Sequence, residues 1–428
     1  MSAPPASSLR RVAVTALGVV SPLGAGAEET ARALREGRDC VTAVTRFDVS
    51  RTRCKTAGFV ECGDSSSLSM GERRDSANAV RPPRRSAPTE SGDKSPHSIR
   101  LHPASRMMIA AAREARELDG GFVPELFVVG TTSGGMSFGE QFFRAQVAKG
   151  RPCERAAWLA NYLPQKAVLD ALEACGFACP SQIIANACAS GTNAVGHAFR
   201  LVRAGVHRRV LCGGYDVIAE MVFAGFDSLQ ASTAERIRPF DRNRTGLVLG
   251  EGAAVLALEE MESAKQRGAA ILAEVTGYGI STDNHHLTQP HPSGIGPRQA
   301  MERALADARR TPGEVDYINA HGTATAFNDA TEGTAIAQVF GDRVPVSSTK
   351  SMMGHALGAA GAIEAVFSVL ALRGQFLPPN IHYAEADPAW ALDIVANEAR
   401  EARVRCVVSN SFGFGGTNAS VVLEGGEV

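Results

Sequence analysis

The sequence has no surplus of charge of either sign: 44 Lys and Arg stand against 45 Asp and Glu, for a formal net charge of -1. That balance argues against a dedicated nucleic-acid binder, whose signature is a strong basic excess. No uninterrupted apolar run reaches the roughly 18 residues that a membrane span needs. The opening MSAPPASSLRRVAVTALGVV has no apolar stretch closing on a small-residue cleavage site. VAVTALGVV therefore reads as a buried strand rather than a secretory leader. A paired-cysteine pattern is also missing. The nine cysteines (Cys40, Cys54, Cys62, Cys153, Cys175, Cys179, Cys188, Cys212, Cys406) are odd in number and scattered. Reduced thiols in a cytoplasmic protein fit this better than a disulfide framework. Cys175 and Cys179 lie closest together, but no His or Cys at zinc-site spacing accompanies them, and no metal site is expected.

What is present is a core. Hydrophobic residues make up 44% of 428, which excludes collagen-like, coiled-coil and wholly disordered chains. The length fits two to three domains or one large duplicated core. Strands are predicted at 12–15, 126–130, 183–186, 210–214, 253–259, 273–280, 317–320, 346–348, 406–409 and 419–423. Helices are predicted at 28–36, 106–118, 191–204, 297–308, 329–340 and 359–372. The strands are apolar runs without strict alternation, as expected where both faces are covered, and their alternation with Ala-rich helices reads as layered α/β. Two similar closing strands, GAAVLALEEME and NASVVLEGG, hint at a duplication, with halves at 1–262 and 263–428. From about 62 to 98 the chain is rich in Ser, Pro, Arg and Asp and nearly lacks large apolar residues. It reads as a long surface loop that cannot offset its ordering entropy.

Four segments carry candidate chemistry. Cys188 sits in IIANACASGTNAVGHAF, where an apolar strand runs into a small-residue helix. A cysteine at that turn would face free N–H groups and the positive helix end, which stabilise a thiolate. The alternative is a buried structural cysteine. His321, in VDYINAHGTATAF, lies at a strand end, where α/β proteins build their crevices. His355, in STKSMMGHALGAAG, follows Lys350 and precedes another small-residue helix. Each His alone could be a core residue. Finally, Phe412, Gly413, Phe414, Gly415 and Gly416 in NSFGFGGTNASVVLE form either a plain sheet-closing turn or an oxyanion hole with an aromatic gate.

Taken in order, Asn-Ala-Cys-Ala-Ser-Gly (186–191), His-Gly-Thr-Ala-Thr (321–325), Lys-Ser-Met-Met-Gly-His (350–355) and Asn-Ser-Phe-Gly-Phe-Gly-Gly-Thr-Asn (410–418) resemble the β-ketoacyl-acyl carrier protein synthases, most closely the type II enzymes. The likeness runs from about Arg11 to the C-terminus, apart from 62–98. It implies the thiolase fold, a duplicated five-layered αβαβα core. It implies decarboxylative condensation of malonyl-acyl carrier protein with an acyl chain held on Cys188, with His321 and His355 donating to the enolate oxygen. It further implies that Lys350 supports this centre, paired with Glu332. Thr323 and Thr325 would bind the phosphopantetheine arm, Phe412 would line the substrate site, and Phe414 would gate the two half-reactions.

The resemblance also implies no metal and no cofactor beyond that carried arm. The partners would be an acyl carrier protein and a second subunit, in a homodimer or a heterodimer with a related chain. No nucleic acid or membrane partner is expected. The carrier is acidic, so Arg73, Arg74, Arg81, Arg84, Arg85, Lys94 and Arg100 are candidates for its docking face. Two departures stand out. Thr323-Ala324-Thr325-Ala326 replaces the usual Thr-Ser-Thr-Pro. Ser133 replaces a bulky aliphatic residue that narrows the acyl pocket in the housekeeping enzyme, which leaves chain length open. Two rivals remain: a silent chain-length partner, which would lack the nucleophile, and a thiolase acting on coenzyme A esters, which would carry a second cysteine near the C-terminal turn.

Overall fold

The strand Val12–Ser21 (β1) is buried along its whole length because its two faces enter different cores. Val12, Val14, Leu17 and Val19 pack into one cluster, whereas Ala16 and Val20 pack into another. The computed structural model describes residues 9–60, 101–149, 159 and 161–426. The 62–98 loop, its basic residues and Arg100 lie outside the described residues.

All ten expected strands are present. They are β1, β2 (Leu126–Gly130), β3 (Ser181–Ile184), β4 (Arg209–Asp216), β5 (Gly252–Glu260), β6 (Ala273–Thr282), β7 (Tyr317–Asn319), β8 (Pro345–Ser347), β9 (Cys406–Gly413) and β10 (Thr417–Gly425). They join one sheet, in which β1-β5-β4-β2-β3 continues through an antiparallel β1–β6 pairing into β6-β10-β9-β7-β8. Numbered within each run, both follow the order 1-5-4-2-3. Both also begin with two antiparallel pairings and end with two parallel ones.

Helices follow the same repeat. The first run carries α1 (Pro103–Leu118), α2 (Gln165–Cys175) and α3 (Ser190–Arg203). The second carries α4 (Ile295–Ala308), α5 (Ala326–Phe340) and α6 (Ala360–Gly374). Helices α1 and α2 cover the outer face of the first run, and α4 and α5 that of the second. Helices α3 and α6 form the layer between the two, giving αβαβα. The helix α2 was not expected, although Ala167, Val168, Ala171, Leu172 and Cys175 are its buried stripe and Gly176 caps it in the left-handed conformation.

The central layer explains the small residues of both helices. A Cβ on Gly191 would lie 2.7 Å from Ala362 N, and one on Gly361 would lie 2.0 Å from Thr192 Oγ1. Backbone meets backbone here, so α3 and α6 cannot separate without opening the core. Thr192 also donates to Ser411 of β9 (2.7 Å), and Tyr278 of β6 donates to Asn193 (2.6 Å), which ties α3 to the second run. By length and composition, Leu357–Gly374 could span a membrane, but its apolar side chains are spent here, with 83% of the stretch buried. Gly361→Val should therefore destabilise the protein by at least about 1–3 kcal/mol, the usual range for overpacking. The urea midpoint would show this, with Gly225→Ala, whose added Cβ meets nothing within 4 Å, as the control.

Candidate active site

The repeat places Cys188 and His355 in matching positions, each between a strand (β3, β8) and a central helix (α3, α6). After β3 the chain turns through Ala187, whose φ is +55°. Ser190 holds this turn: its Oγ donates to Ala187 O (2.6 Å) and accepts from Asn186 N (2.9 Å). Cys188 follows the bend and is 6% exposed. Gly413 lies against it, since a Cβ there would be 3.1 Å from Cys188 N. The Phe414 N–H points at the sulfur.

His355 is fixed through its main chain. Its N–H donates to Val248 O (2.7 Å), and its C=O accepts from Gly250 N (2.8 Å). His321 follows β7, and its N–H and that of Gly322 donate to the two oxygens of Glu332 on α5, at 2.8 and 2.7 Å. The rings of His321 and His355 meet edge to face, with centroids 5.1 Å apart, and Phe412 lies 6.1 Å from His321. The Cys188 sulfur and one ring nitrogen from each histidine all lie within 4.8 Å of one another. Nδ1 of His321 and both ring nitrogens of His355 are buried without a hydrogen-bond partner.

Burial pushes the Cys188 thiol up to about 11, although Lys350 and the Phe414 and Cys188 N–H groups pull it down. The expected resting thiolate is thus corrected: desolvation outweighs the helix end, and Cys188 rests as a thiol. Burial, reinforced by Lys350, holds both imidazoles well below their usual range, hence neutral.

The expected Lys350–Glu332 pair is also corrected. Lys350, 1% exposed, forms its ion pair with Glu364 of α6, itself 2% exposed. Glu332 is committed to the His321 and Gly322 N–H groups, with the Asn328 amide 3.3 Å away. Burial lifts Glu332 and Glu364 to about 7, while Lys350 opposes the rise in both.

Glu364 was missed in the sequence, yet it is the lone acid in GAIEAVFSVLAL, and a charge on an all-apolar helix needs a partner. Asp216 was missed too. It ends β4 and accepts from Thr131 Oγ1, Thr132 N, Ser133 N and Gly358 N (2.7–2.9 Å), joining the turn after β2 to the segment after His355. Burial raises its carboxyl to about 6. Asp329 plays a similar part, accepting from the left-handed residues Phe240 and Ala324 beside Thr323 and Thr325.

A cavity of about 190 Å³ opens onto the cluster, lined by Cys188, His321, His355, Thr323, Thr325, Phe412 and Phe414 among others. The two threonine hydroxyls lie 2.9 Å apart. Phe412 is the penultimate residue of β9 rather than part of the turn, and Phe414 stacks on Phe226 with centroids 5.4 Å apart. Ser133 is not among the lining residues. It is 7% exposed, its N–H donates to Asp216, and its hydroxyl has no partner. A larger cleft, about 790 Å³, lies against Arg310, Arg373 and Arg403, away from this cluster.

The β-ketoacyl synthase N-terminal domain family matches residues 9–264, and the corresponding C-terminal domain family matches 272–384. The chain belongs to the β-ketoacyl synthase family. Over 97% of its length the synthase is 37% identical to 3-oxoacyl-acyl-carrier-protein synthase 2 of Coxiella burnetii and 36% identical to that of Synechocystis sp., covering 98% of each relative. It superposes on "The ishigamide ketosynthase/chain length factor" with a TM-score of 0.86 at 34% identity, covering 98% of this chain and 100% of that one. A β-ketoacyl synthase from Burkholderia phymatum gives 0.81 at 30% identity, again covering 98% and 100%. The synthase has the thiolase fold and is an acyltransferase of the condensing class.

Breaking the Lys350–Glu364 pair tests its place in the site. Lys350→Met should destabilise the synthase by about 3–5 kcal/mol, because it leaves a buried acid without its cation. The Glu364 carboxyl then rises further above its unfolded value. The deficit should therefore be smallest near pH 5, where the acid is protonated, and grow as pH passes 7. Urea unfolding at both pH values measures it. Adding Glu364→Gln should recover most of the loss.

Proposed function

We propose that this synthase catalyses decarboxylative condensation of malonyl-acyl carrier protein with an acyl chain carried on Cys188, giving 3-ketoacyl-acyl carrier protein and CO2. The observation that carries the reading is the meeting of one buried thiol and two neutral, unpartnered imidazoles at the base of a cavity. In the first half-reaction the sulfur attacks the acyl thioester. Its proton passes to a facing imidazole and then to the departing phosphopantetheine thiolate. In the second, malonyl loses CO2 and the enolate oxygen accepts N–H donors from His321 and His355. The carbanion attacks the acyl carbonyl, and the new oxyanion accepts from the N–H groups of Cys188 and Phe414. Collapse expels the Cys188 thiolate, which takes up one proton from solvent, the proton that the decarboxylative condensation consumes. Neutral imidazoles suit this role because each can offer one N–H without adding a positive charge to a dry site.

In this reading Lys350 and its partner Glu364 hold the site's charge, and Glu332 positions His321 through the backbone. Thr323 and Thr325 receive the phosphopantetheine arm, Phe412 borders the substrate, and Phe414 swings from Phe226 to gate the cavity. No cofactor beyond the carrier's arm is needed. Ser133 would meet long acyl chains only, beyond Cys188. The chain divides near 262 into the two halves that supply Cys188 and the histidines. A cytoplasmic setting is part of this reading. Among the exposed apolar residues, Phe143 and Val147, 68% and 67% exposed, are proposed to meet a second subunit. A homodimer is the first reading. A heterodimer is the second, because solved neighbours include a ketosynthase in complex with its chain length factor.

With acyl- and malonyl-carrier substrates, intact-mass spectrometry should find the acyl group on the wild type and none on Cys188→Ala. His355→Ala should lose about 10²–10³ in the decarboxylation rate, the usual effect of removing one oxyanion donor. Wild-type condensation by Cys188→Ala would contradict the reading.

A further inference from the structure

The three groups that form the site are also a set of soft metal ligands. The sulfur of Cys188 and one nitrogen each of His321 and His355 lie within 4.8 Å of one another, the sole such group of His, Cys and acidic residues among the described residues. A tetrahedral zinc ion with Zn–S near 2.3 Å and Zn–N near 2.0–2.1 Å needs its ligand atoms roughly 3.4–3.6 Å apart. The rings would have to close by about an ångström through side-chain rotation, since the layer that carries them is rigid. Neither nitrogen of His355, nor Nδ1 of His321, spends a hydrogen bond elsewhere, although all are buried. The cavity supplies an entry path and a fourth, open position for water.

We propose that Cys188, His321 and His355 form a reversible binding site for one soft divalent cation, with zinc as the type, and that its occupancy blocks the nucleophile. The donor set selects the ion. No carboxylate belongs to the group, so magnesium and calcium, which need oxygen ligands, find nothing to bind. A thiolate and two neutral imidazoles suit zinc, cadmium and cobalt. The thiol must release its proton, so Cys–SH and M²⁺ give Cys–S–M⁺ and H⁺. Lys350 opposes the cation, since its charge reaches all three ligands, but its pairing with Glu364 limits that opposition. The result is a removable inhibitor rather than a resident structural metal. This site is independent of the condensation reading, because ligation requires only the geometry of the three side chains.

The test uses the full-length wild type, Cys188→Ala and His355→Ala, each checked for folding by thermal melting. Cobalt titration of the wild type should give a thiolate-to-cobalt charge-transfer band saturating at one ion per chain. Zinc should displace that ion, and a chelator should reverse the binding. Zinc binding should release about one proton per chain at neutral pH. Folded Cys188→Ala should lose the band. Folded His355→Ala should bind more weakly by at least about the 10–100-fold that even an outer partner of a ligand costs. Zinc should also slow alkylation of Cys188, followed by peptide mapping, in the wild type but much less in His355→Ala. Equal cobalt spectra and zinc uptake in the wild type and folded Cys188→Ala would overturn the proposal. So would Cys188 alkylation that zinc leaves unchanged.

Discussion

The structure depends on how closely α3 approaches α6. Each helix begins where its half of the duplicated sheet ends a parallel strand, and each carries glycine where the other's backbone passes. Cys188 enters one helix and His355 precedes the other, so their separation is set by packing at the centre of the molecule. A protein interior yields little, so the thiol and the imidazole are held by the most rigid layer of the fold. His321 joins them from the strand beside β8, and Glu332 fixes it through two backbone N–H groups rather than through its ring. The rings remain free to serve a substrate.

That rigidity has an electrostatic cost. Asp216, Asp329, Glu332, Lys350 and Glu364 are all buried within the layers around the site. Each is matched by an ion pair or by backbone and side-chain donors, as buried charges require. Asp216 and Glu332 act mainly on main chain, holding the loops that carry the functional side chains. Lys350 differs because its field reaches Cys188 and both histidines. It favours a thiolate and disfavours imidazolium, so this buried cation acts in the same sense on all three groups, away from protonation. Desolvation still wins at Cys188 and raises its thiol to about 11.

Much of this was legible in the sequence, for physical reasons. Strands covered on both faces are apolar throughout, so β1, β5 and β10 stood out, and the small-residue helices announced a close contact. His321 and His355 each sit beside a glycine beyond a strand, Cys188 sits in a small-residue turn between strand and helix, and the structure brings all three together. The pairing of Lys350 was misread because it was taken from the family resemblance, which pointed to Glu332, whereas the partner lies on α6, fourteen positions after Lys350. The sequence also pointed to the helix end at Cys188 but not to the depth of its burial, which is a property of the folded layers alone. Ser133 shows the same limit, since the identity of a residue cannot reveal that its N–H is committed to Asp216.

The central claim is that Cys188 is a desolvated thiol beside two neutral imidazoles. The most direct measurement is the pH dependence of Cys188 alkylation by a small neutral reagent, followed by peptide mapping without substrate. The account predicts a rate that keeps rising through pH 9 toward the thiol value of about 11. A rate that levels off below pH 7 would show a standing thiolate and contradict it.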